Sequence, residues 1–595
     1  MRRSYPALLL IALATLPAQA AREERGNLIL DGVPTIPPVL VERVAPWLQA
    51  RSARFSGWLP DGTMLVTTRF AEANQLHRVS APLGAREQLT FGAEVLASSS
   101  SSAPGTAGVP FATADAGAAP QLWVWRLADH GLTRVAGSGV RTDAFVWSPD
   151  GKIVAVQGIA ADGLHQDIVA FEPGGNLQAR LFVAAGVRSW RPLDWSPDGA
   201  RLLLENEANP QQSELWLADT ATGGIAQIAL PSPPGRVRAA RFAPDGRGIH
   251  LIAQFGEDYA RLQYFDPVAN TLRPLTAEIP WDIESFAVSP DGRYLAFAAN
   301  VAGVSRLTVI DQTARSEFVP GELPAGRITD LAFDHTGKRL AMTAESATQP
   351  PDAFVYEPAP HTLTRWTRSE RGPIDPSAFV APELINFPTW DRVNGSTRTL
   401  PAWVYKPRAP GPHPVLVRIA SSAEEQARPV FDAFTQLAVN VLGYAVVTPN
   451  VRGASQREDA IRDIGSLLAW IGVQRDLDRS RVVLMGESQS ALVALGSLAQ
   501  YGDRVVGGID LSGVASWARI PNARALRKPL LVVHGAQDTI APVFDAERLV
   551  ANARGNGAEV WYLGVKDEAH VLRRKPNRDA WMTTAAAFLE RLSGR

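Results

Sequence analysis

The chain has 595 residues, of which 46% are hydrophobic and 20% charged, with 59 basic side chains against 60 acidic ones. That is the composition of a globular protein. A formal net charge of -1 gives no general attraction for nucleic acid or an anionic membrane surface, so neither is expected as a partner. The absence of cysteine excludes disulfides, thiolate metal sites and cysteine nucleophiles together.

In chain order, the first feature is a leader. Arg2 and Arg3 precede an apolar run from Ala7 to Leu16, and Ala18-Gln19-Ala20 fits the small-x-small rule for cleavage. The run is too short to cross a hydrocarbon core, which takes about 20 residues. Residues 1–20 therefore read as a signal peptide cut after Ala20. The mature protein reads as exported, secreted or periplasmic, with no integral membrane span.

Next comes a repeat, which gives an address to six of the 48 glycines and five of the 45 prolines. Trp147-Ser148-Pro149-Asp150-Gly151 returns as Trp195 to Gly199, Phe242 to Gly246 and Val288 to Gly292. Weaker copies run from Trp58 to Gly62 and from Phe333 to Gly337. The closing glycines are spaced 89, 48, 47, 46 and 45 residues apart, so the first interval holds two periods. In the copies with Pro-Asp-Gly an apolar strand ends, that tripeptide makes a tight turn, and a second strand follows. A period of about 45 residues with about four strands is that of a propeller blade. Counting one degenerate copy near residues 95–130 gives about seven blades over residues 51–375. In that copy the tract from Ser98 to Ala119 reads as a surface loop and Gln121 to Trp125 as a strand. Trp147 and Trp195 belong to the repeat and are expected in the core.

From residue 376 the pattern changes to strands alternating with helices, the signature of an α/β domain. Leu400 to Pro407, Pro414 to Ala420 and Tyr444 to Pro449 read as strands, and Asp459 to Ile471 as an amphipathic helix. The apolar strand Arg481 to Met485 runs into Gly486-Glu487-Ser488-Gln489-Ser490, and Ala491 to Gln500 reads as a helix. A strand, a sharp turn bearing Ser, then a helix is the context of a nucleophile elbow. The strand Pro529 to His534 leads to Asp538, and the strand Glu559 to Leu563 leads to His570 before the helix Asn577 to Leu592. Ser, Asp and His thus follow one another in the order of α/β-hydrolases, each just past a strand. Serine needs His to take its proton, and His needs Asp to fix its tautomer. His534, inside a strand end, reads as a core residue. No cluster of His, Asp and Glu has ligand spacing, so no metal and no cofactor are expected.

With these motifs the chain resembles the prolyl oligopeptidase family of serine peptidases, in its acylaminoacyl-peptidase and dipeptidyl-peptidase-like branch. The resemblance is carried by Pro449 to Gly453, Gly486-Glu487-Ser488, His534 to Asp538, Asp567 to His570 and Arg574 to Arg578. It implies a β-propeller followed by an α/β-hydrolase domain, residues 376–595, with a mostly parallel, doubly wound sheet. It also implies that residues 21–50 pack on the hydrolase domain. Ser488 would be the nucleophile, Asp538 the acid and His570 the base of a peptidase acting on short peptides, with the propeller limiting access.

Three positions depart from the family pattern. The His-Gly-Gly-Pro-like loop that helps to form the oxyanion hole is replaced by Ile419 to Glu425, without glycine. The elbow ends on Ser490-Ala491 where the family has two glycines. Two stretches, Arg452 to Glu458 and Ser488 to Asp538, are short. The oxyanion donors expected are the backbone N–H of Gln489 and one from Ser421, Ser422 or Ala423. Ser490 is expected to leave the turn strained, and Glu424, Glu425 and Glu487 place negative charge near the site. Two other functions fit the same residues: an impaired relative acting as a periplasmic binding or scaffold protein, and an esterase using the same triad.

Overall fold

The structure, a computed structural model, describes residues 21–594 except Ala93, 99–107, 115–120, Ala128, 137–139, 160–165, 173–179, 184–188, Pro210, 421–425, 454–455 and Ala515. The leader at residues 1–20 lies outside the described residues.

The repeated turn builds the first part of the molecule. Gly151, Gly199, Gly246 and Gly292 all have φ between 68° and 73°, a left-handed conformation that glycine adopts without a Cβ penalty. In three copies the turn serine donates to the turn aspartate: Ser148 to Asp150 at 2.6 Å, Ser196 to Asp198 at 2.5 Å and Ser289 to Asp291 at 2.5 Å. The same serine oxygens accept from the backbone five residues on, at Ile153, Arg201 and Tyr294. Each turn therefore locks the first strand of a blade to the second by its own side chains.

Seven four-stranded antiparallel sheets follow one another along the chain, spanning Ala53–Gln88, Glu94–Ala136, Val140–Val183, Ser189–Gln227, Arg236–Pro274, Ile283–Phe318 and Gly326–Arg365. Every blade is continuous in sequence, so the ring closes by packing of the first blade on the seventh without a shared strand. Trp58 Nε1 donates to Ala332 O at 3.2 Å, and Phe55 N to Thr343 Oγ1 at 2.9 Å. The tryptophans are core residues, Trp147 7% and Trp195 4% exposed. The tract from Ser98 to Ala119 differs from the loop expected of it: Gly108–Ala114 is a strand, pairing with Gln121–Arg126. Its small side chains hid an ordinary inner strand.

The remaining strands form one ten-stranded sheet. Its members are β1 (Glu23–Arg25), β2 (Leu28–Asp31), β3 (Glu383–Val393), β4 (Ser396–Tyr405) and β5 (His413–Arg418). The others are β6 (Ala445–Pro449), β7 (Leu477–Glu487), β8 (Gly507–Leu511), β9 (Leu530–Gly535) and β10 (Val560–Val565). Their order is β1-β2-β10-β9-β8-β7-β5-β6-β4-β3. β5 to β10 are parallel to their neighbours within that group, and the outer strands are antiparallel.

Helices cover both faces: α3 (Arg457–Val473), α4 (Ala491–Gln500) and α5 (Val543–Gly555) on one, α1 (Pro38–Val44), α2 (Ala433–Asn440) and α6 (Lys575–Ser593) on the other. Two apolar cores result, around Ile464, Leu484 and Leu492 and around Phe434, Trp581 and Phe588. After β5 the chain adds β6 on one side, then returns to place β7 on the other. The carboxyl ends of β5 and β7 thus flank a topological switch point, where open α/β sheets form their sites. No described helix is long and apolar enough to cross a membrane.

Candidate active site

β7 ends at Glu487, and the chain turns sharply through Ser488 into α4. Ser488 has φ of 53°, a strained conformation for a non-glycine residue, of the kind stored at functional sites. Gly486 makes the turn possible. A Cβ there would lie 2.6 Å from Ala491 Cα and 2.7 Å from Ala491 N, which are backbone atoms that cannot yield.

Ser488, Asp538 and His570 come together from three strand ends. Ser488 Oγ is 2.8 Å from His570 Nε2, and His570 Nδ1 is 2.7 Å from Asp538 Oδ2. The other carboxyl oxygen of Asp538 accepts from the N–H groups of Ile540 and Ala541, both at 2.8 Å. Burial raises the Asp538 pKa, but the hydrogen bonds from His570 and from Ala541 outweigh it and leave the carboxyl below its ordinary value. The acid is therefore ionised where it meets the imidazole. His534 is a buried structural residue: its Nε2 is 2.8 Å from Ala541 O, bracing the loop that holds Asp538, and burial lowers its pKa.

Ser490 is not strained, contrary to the sequence expectation. It lies at φ -71° and ψ -14°, in the right-handed region, and Ser488 takes the unusual conformation instead. Ser490 Oγ accepts from Glu487 N at 2.9 Å and lies within hydrogen-bond reach of Glu487 O and Ile419 O. The hydroxyl thereby staples the elbow to the end of β5, a task glycine could not perform.

Glu487 is oriented too. Its carboxylate accepts from the Ser490 N–H, a capping box at the start of the helix. Arg418, at the end of β5, lies 4.0 Å from Glu487, 2.5 Å from Asp432 and 3.1 Å from Thr435 Oγ1. Burial works against the Arg418 charge, but Asp432 and Glu487 outweigh it and hold the guanidinium above its ordinary range. The negative charge beside Ser488 is thus opposed by a partly buried cation, which sequence reasoning missed.

Of the oxyanion donors expected from the sequence, Gln489 lies in the first turn after Ser488, where N–H groups lack an intrahelical acceptor. Ser421, Ser422 and Ala423, with Glu424 and Glu425, lie outside the described residues. The chain just beyond them is anchored on the sixth blade: Gln426 Oε1 accepts from Asn300 at 2.6 Å, and Arg428 bonds to Glu284, to Gly303 O at 2.9 Å and to Ser305 Oγ at 2.8 Å. A cavity of about 1460 Å³ separates propeller and hydrolase sheet at this level, with Ile419, Arg418 and Glu487 on one wall and Arg238, Glu284 and Arg327 on the other. Among the described residues no group of His, Asp and Glu could hold a metal ion.

Residues 510–595, which include Asp538 and His570, match the model of the prolyl oligopeptidase family. Over 157 residues the chain is 26% identical to the uncharacterized peptidase YuxL of Bacillus subtilis (strain 168), a match that covers 25% of this chain and 22% of that relative. Among solved structures, a prolyl endopeptidase superimposes with a TM-score of 0.79 at 13% identity, over 94% of this chain and 92% of that one. A puromycin hydrolase gives 0.78 at 18%, over 92% and 96%. The acylaminoacyl peptidase of Pyrococcus horikoshii gives 0.65 at 15%, over 91% and 96%. The chain is thus similar to the prolyl oligopeptidase family over the segment that holds Asp538 and His570, and it shares the architecture of these solved structures over nearly its whole length.

Proposed function

We propose that this protein is an exported serine peptidase that hydrolyses short peptides with Ser488, His570 and Asp538. The observation that carries the proposal is the continuous pair of hydrogen bonds from Ser488 Oγ through His570 to Asp538. In the proposed reaction Ser488 Oγ attacks the scissile carbonyl while His570 Nε2 accepts its proton. Asp538 holds Nδ1–H and stabilises the imidazolium. His570 then passes the proton to the leaving amine, and water repeats the sequence to free the acyl group. The Gln489 N–H is one proposed oxyanion donor, and the second comes from the Ser421–Ser422 backbone by the family resemblance. Loss of one such donor costs about 10²–10³ in rate. Export rests on residues 1–20, and admission of short peptides on the cavity between propeller and sheet.

A second reading has one observation in its favour. The Glu487 carboxylate takes the Ser490 N–H at the helix start, where positive potential would otherwise favour an oxyanion. In that reading the protein holds peptides without turning them over. The two are separated by assaying the purified protein on a short peptide amide and a p-nitrophenyl ester. Hydrolysis of the amide, abolished in Ser488→Ala, supports the peptidase. Ester hydrolysis alone marks an esterase, and no hydrolysis of either by the folded protein supports the binding role.

A further inference from the structure

The loop that carries His570 runs from Lys566 to Arg574 without helix or strand. Its shape therefore depends on the hydrogen bonds its groups find elsewhere. One of its side chains, Asp567, is held from behind by a residue 540 positions away, and the next, Glu568, by a neighbour of that residue. β1 and β2 form a hairpin, and β2 pairs antiparallel with β10, Leu28 opposite Val565. This register sets the turn of the hairpin beside the point where β10 ends and the loop begins.

Asn27 lies in that turn. Its carbonyl accepts from Lys566 N at 2.8 Å. Its side-chain amide donates to Asp567 Oδ1 at 2.5 Å and to Asn577 Oδ1 at 2.6 Å. Asn577, 1% exposed near the start of α6, donates in turn to Asp567 Oδ1 at 3.1 Å and to Glu568 Oε1 at 2.8 Å. Glu568 is fully buried. It also accepts from Arg574 N at 2.8 Å, and its carbonyl accepts from Gln537 N, beside Asp538, at 2.9 Å. The hydrogens of both amides are spent on this one network, which brackets His570 from Asp567 to Arg574. Gly535 admits the close approach of the two catalytic loops: a Cβ there would lie 2.1 Å from Ala569 O.

We infer that the hairpin at residues 23–31 is a positioning device for the general base, with Asn27 as the positioning residue. The inference rests on the reading of His570 as that base. The imidazole bridges two bonds of 2.8 and 2.7 Å, and misplacement of a reacting group by about 1 Å can cost ~10² in rate. Asn27 touches neither the triad nor the cavity. It acts on rate by fixing Asp567 and, through Asn577, Glu568.

The test compares full-length Asn27→Ala, Asn27→Ser and, as a control in the same hairpin, Arg25→Ala, whose exposed side chain pairs with Glu23. Each variant is assayed for kcat, KM and the pH profile of kcat on a p-nitrophenyl ester, and for hydrogen exchange along the chain. Asn27→Ala should lower kcat about tenfold with KM within about twofold, shift the acidic limb of the profile, and speed exchange at residues 566–574. Asn27→Ser, keeping one short donor, should fall between it and the wild type, and Arg25→Ala should match the wild type. Wild-type kcat and wild-type exchange at 566–574 in Asn27→Ala would overturn the inference while leaving Ser488 as the nucleophile. So would a uniform loss of protection without a local excess there, because Asn27 would then be a general stabiliser. If the wild type hydrolyses nothing, the peptidase reading fails by itself. Exchange at 566–574 then decides the positioning claim: unchanged protection in Asn27→Ala overturns it.

Discussion

The propeller builds the same turn again and again: a turn closing on glycine recurs about every 45 residues, and three copies carry the serine, aspartate and glycine that fold it. The hydrolase sheet has one Ser488, one Asp538 and one His570, each just past the end of a different strand and joined by hydrogen bonds between segments 82 and 32 residues apart. The contrast is between redundancy and uniqueness. The second blade lacks the motif in its sequence and still forms its four-stranded sheet. A single misplaced group at the strand ends leaves the proposed chemistry without a substitute.

That contrast can be broken most forcefully at the acid. Asp538→Asn keeps the shape but removes the charge that selects the histidine tautomer, so kcat should fall about 10⁴-fold with KM little changed. Retention of kcat within tenfold would mean that the observed bonds are not the working ones. Next in size is Gly486→Ala. Its Cβ would meet the backbone of Ala491 at 2.6 Å. The variant should melt at a lower temperature, by about 1–3 kcal/mol of overpacking, and lose about 10² in kcat as Ser488 shifts. Calorimetry and the ester assay read both effects.

A subtler distinction concerns Asp510, on β8 beside the elbow. Burial pushes its pKa up to about 7, opposed only by the Gly513 N–H. A carboxyl raised in the folded state binds its proton more tightly there than in the unfolded chain. Its contribution to stability is whole below about pH 4 and is lost as pH rises through about 7. Asp510→Asn should therefore gain stability relative to the wild type at pH 8, on the order of 1–3 kcal/mol, and lose the advantage near pH 4. Denaturant melts at the two pH values measure this, and a gain equal at both would refute the assignment. The smallest effect belongs to the propeller. Gly292→Ala puts a Cβ at φ 73° with nothing within 4 Å, so only the backbone penalty of about 1 kcal/mol applies, with kcat unchanged.

The propeller was legible because its signal is local and repeated. The approach of Ser488, His570 and Asp538 was legible because each follows an apolar run that reads as a buried strand. Other elements escaped for physical reasons. β8, Gly507–Leu511, opens with two glycines, which lower strand propensity, and Asp510 was missed with it. α2 is buried at six of its eight positions and so shows no polar face. α5 buries only Ala546, Leu549, Val550 and Ala553. β3 carries Pro388, which a strand tolerates at the edge of a sheet, where β3 lies. The expectation of strain at Ser490 failed because the left-handed conformation of the elbow falls on Ser488. The Arg418 cation and the Asn27 bracket depend on contacts between segments far apart in the chain, which no pattern within either segment announces.

The central claim is that Ser488, activated by His570 and Asp538, is a nucleophile. The most direct measurement is the intact mass of the purified protein after exposure to a fluorophosphonate, with the adduct mapped by peptide fragmentation. The account predicts one adduct per chain, located on Ser488, absent from Ser488→Ala and strongly slowed in Asp538→Asn. A folded wild-type protein that takes up no adduct, or takes it up equally in Ser488→Ala, would contradict it.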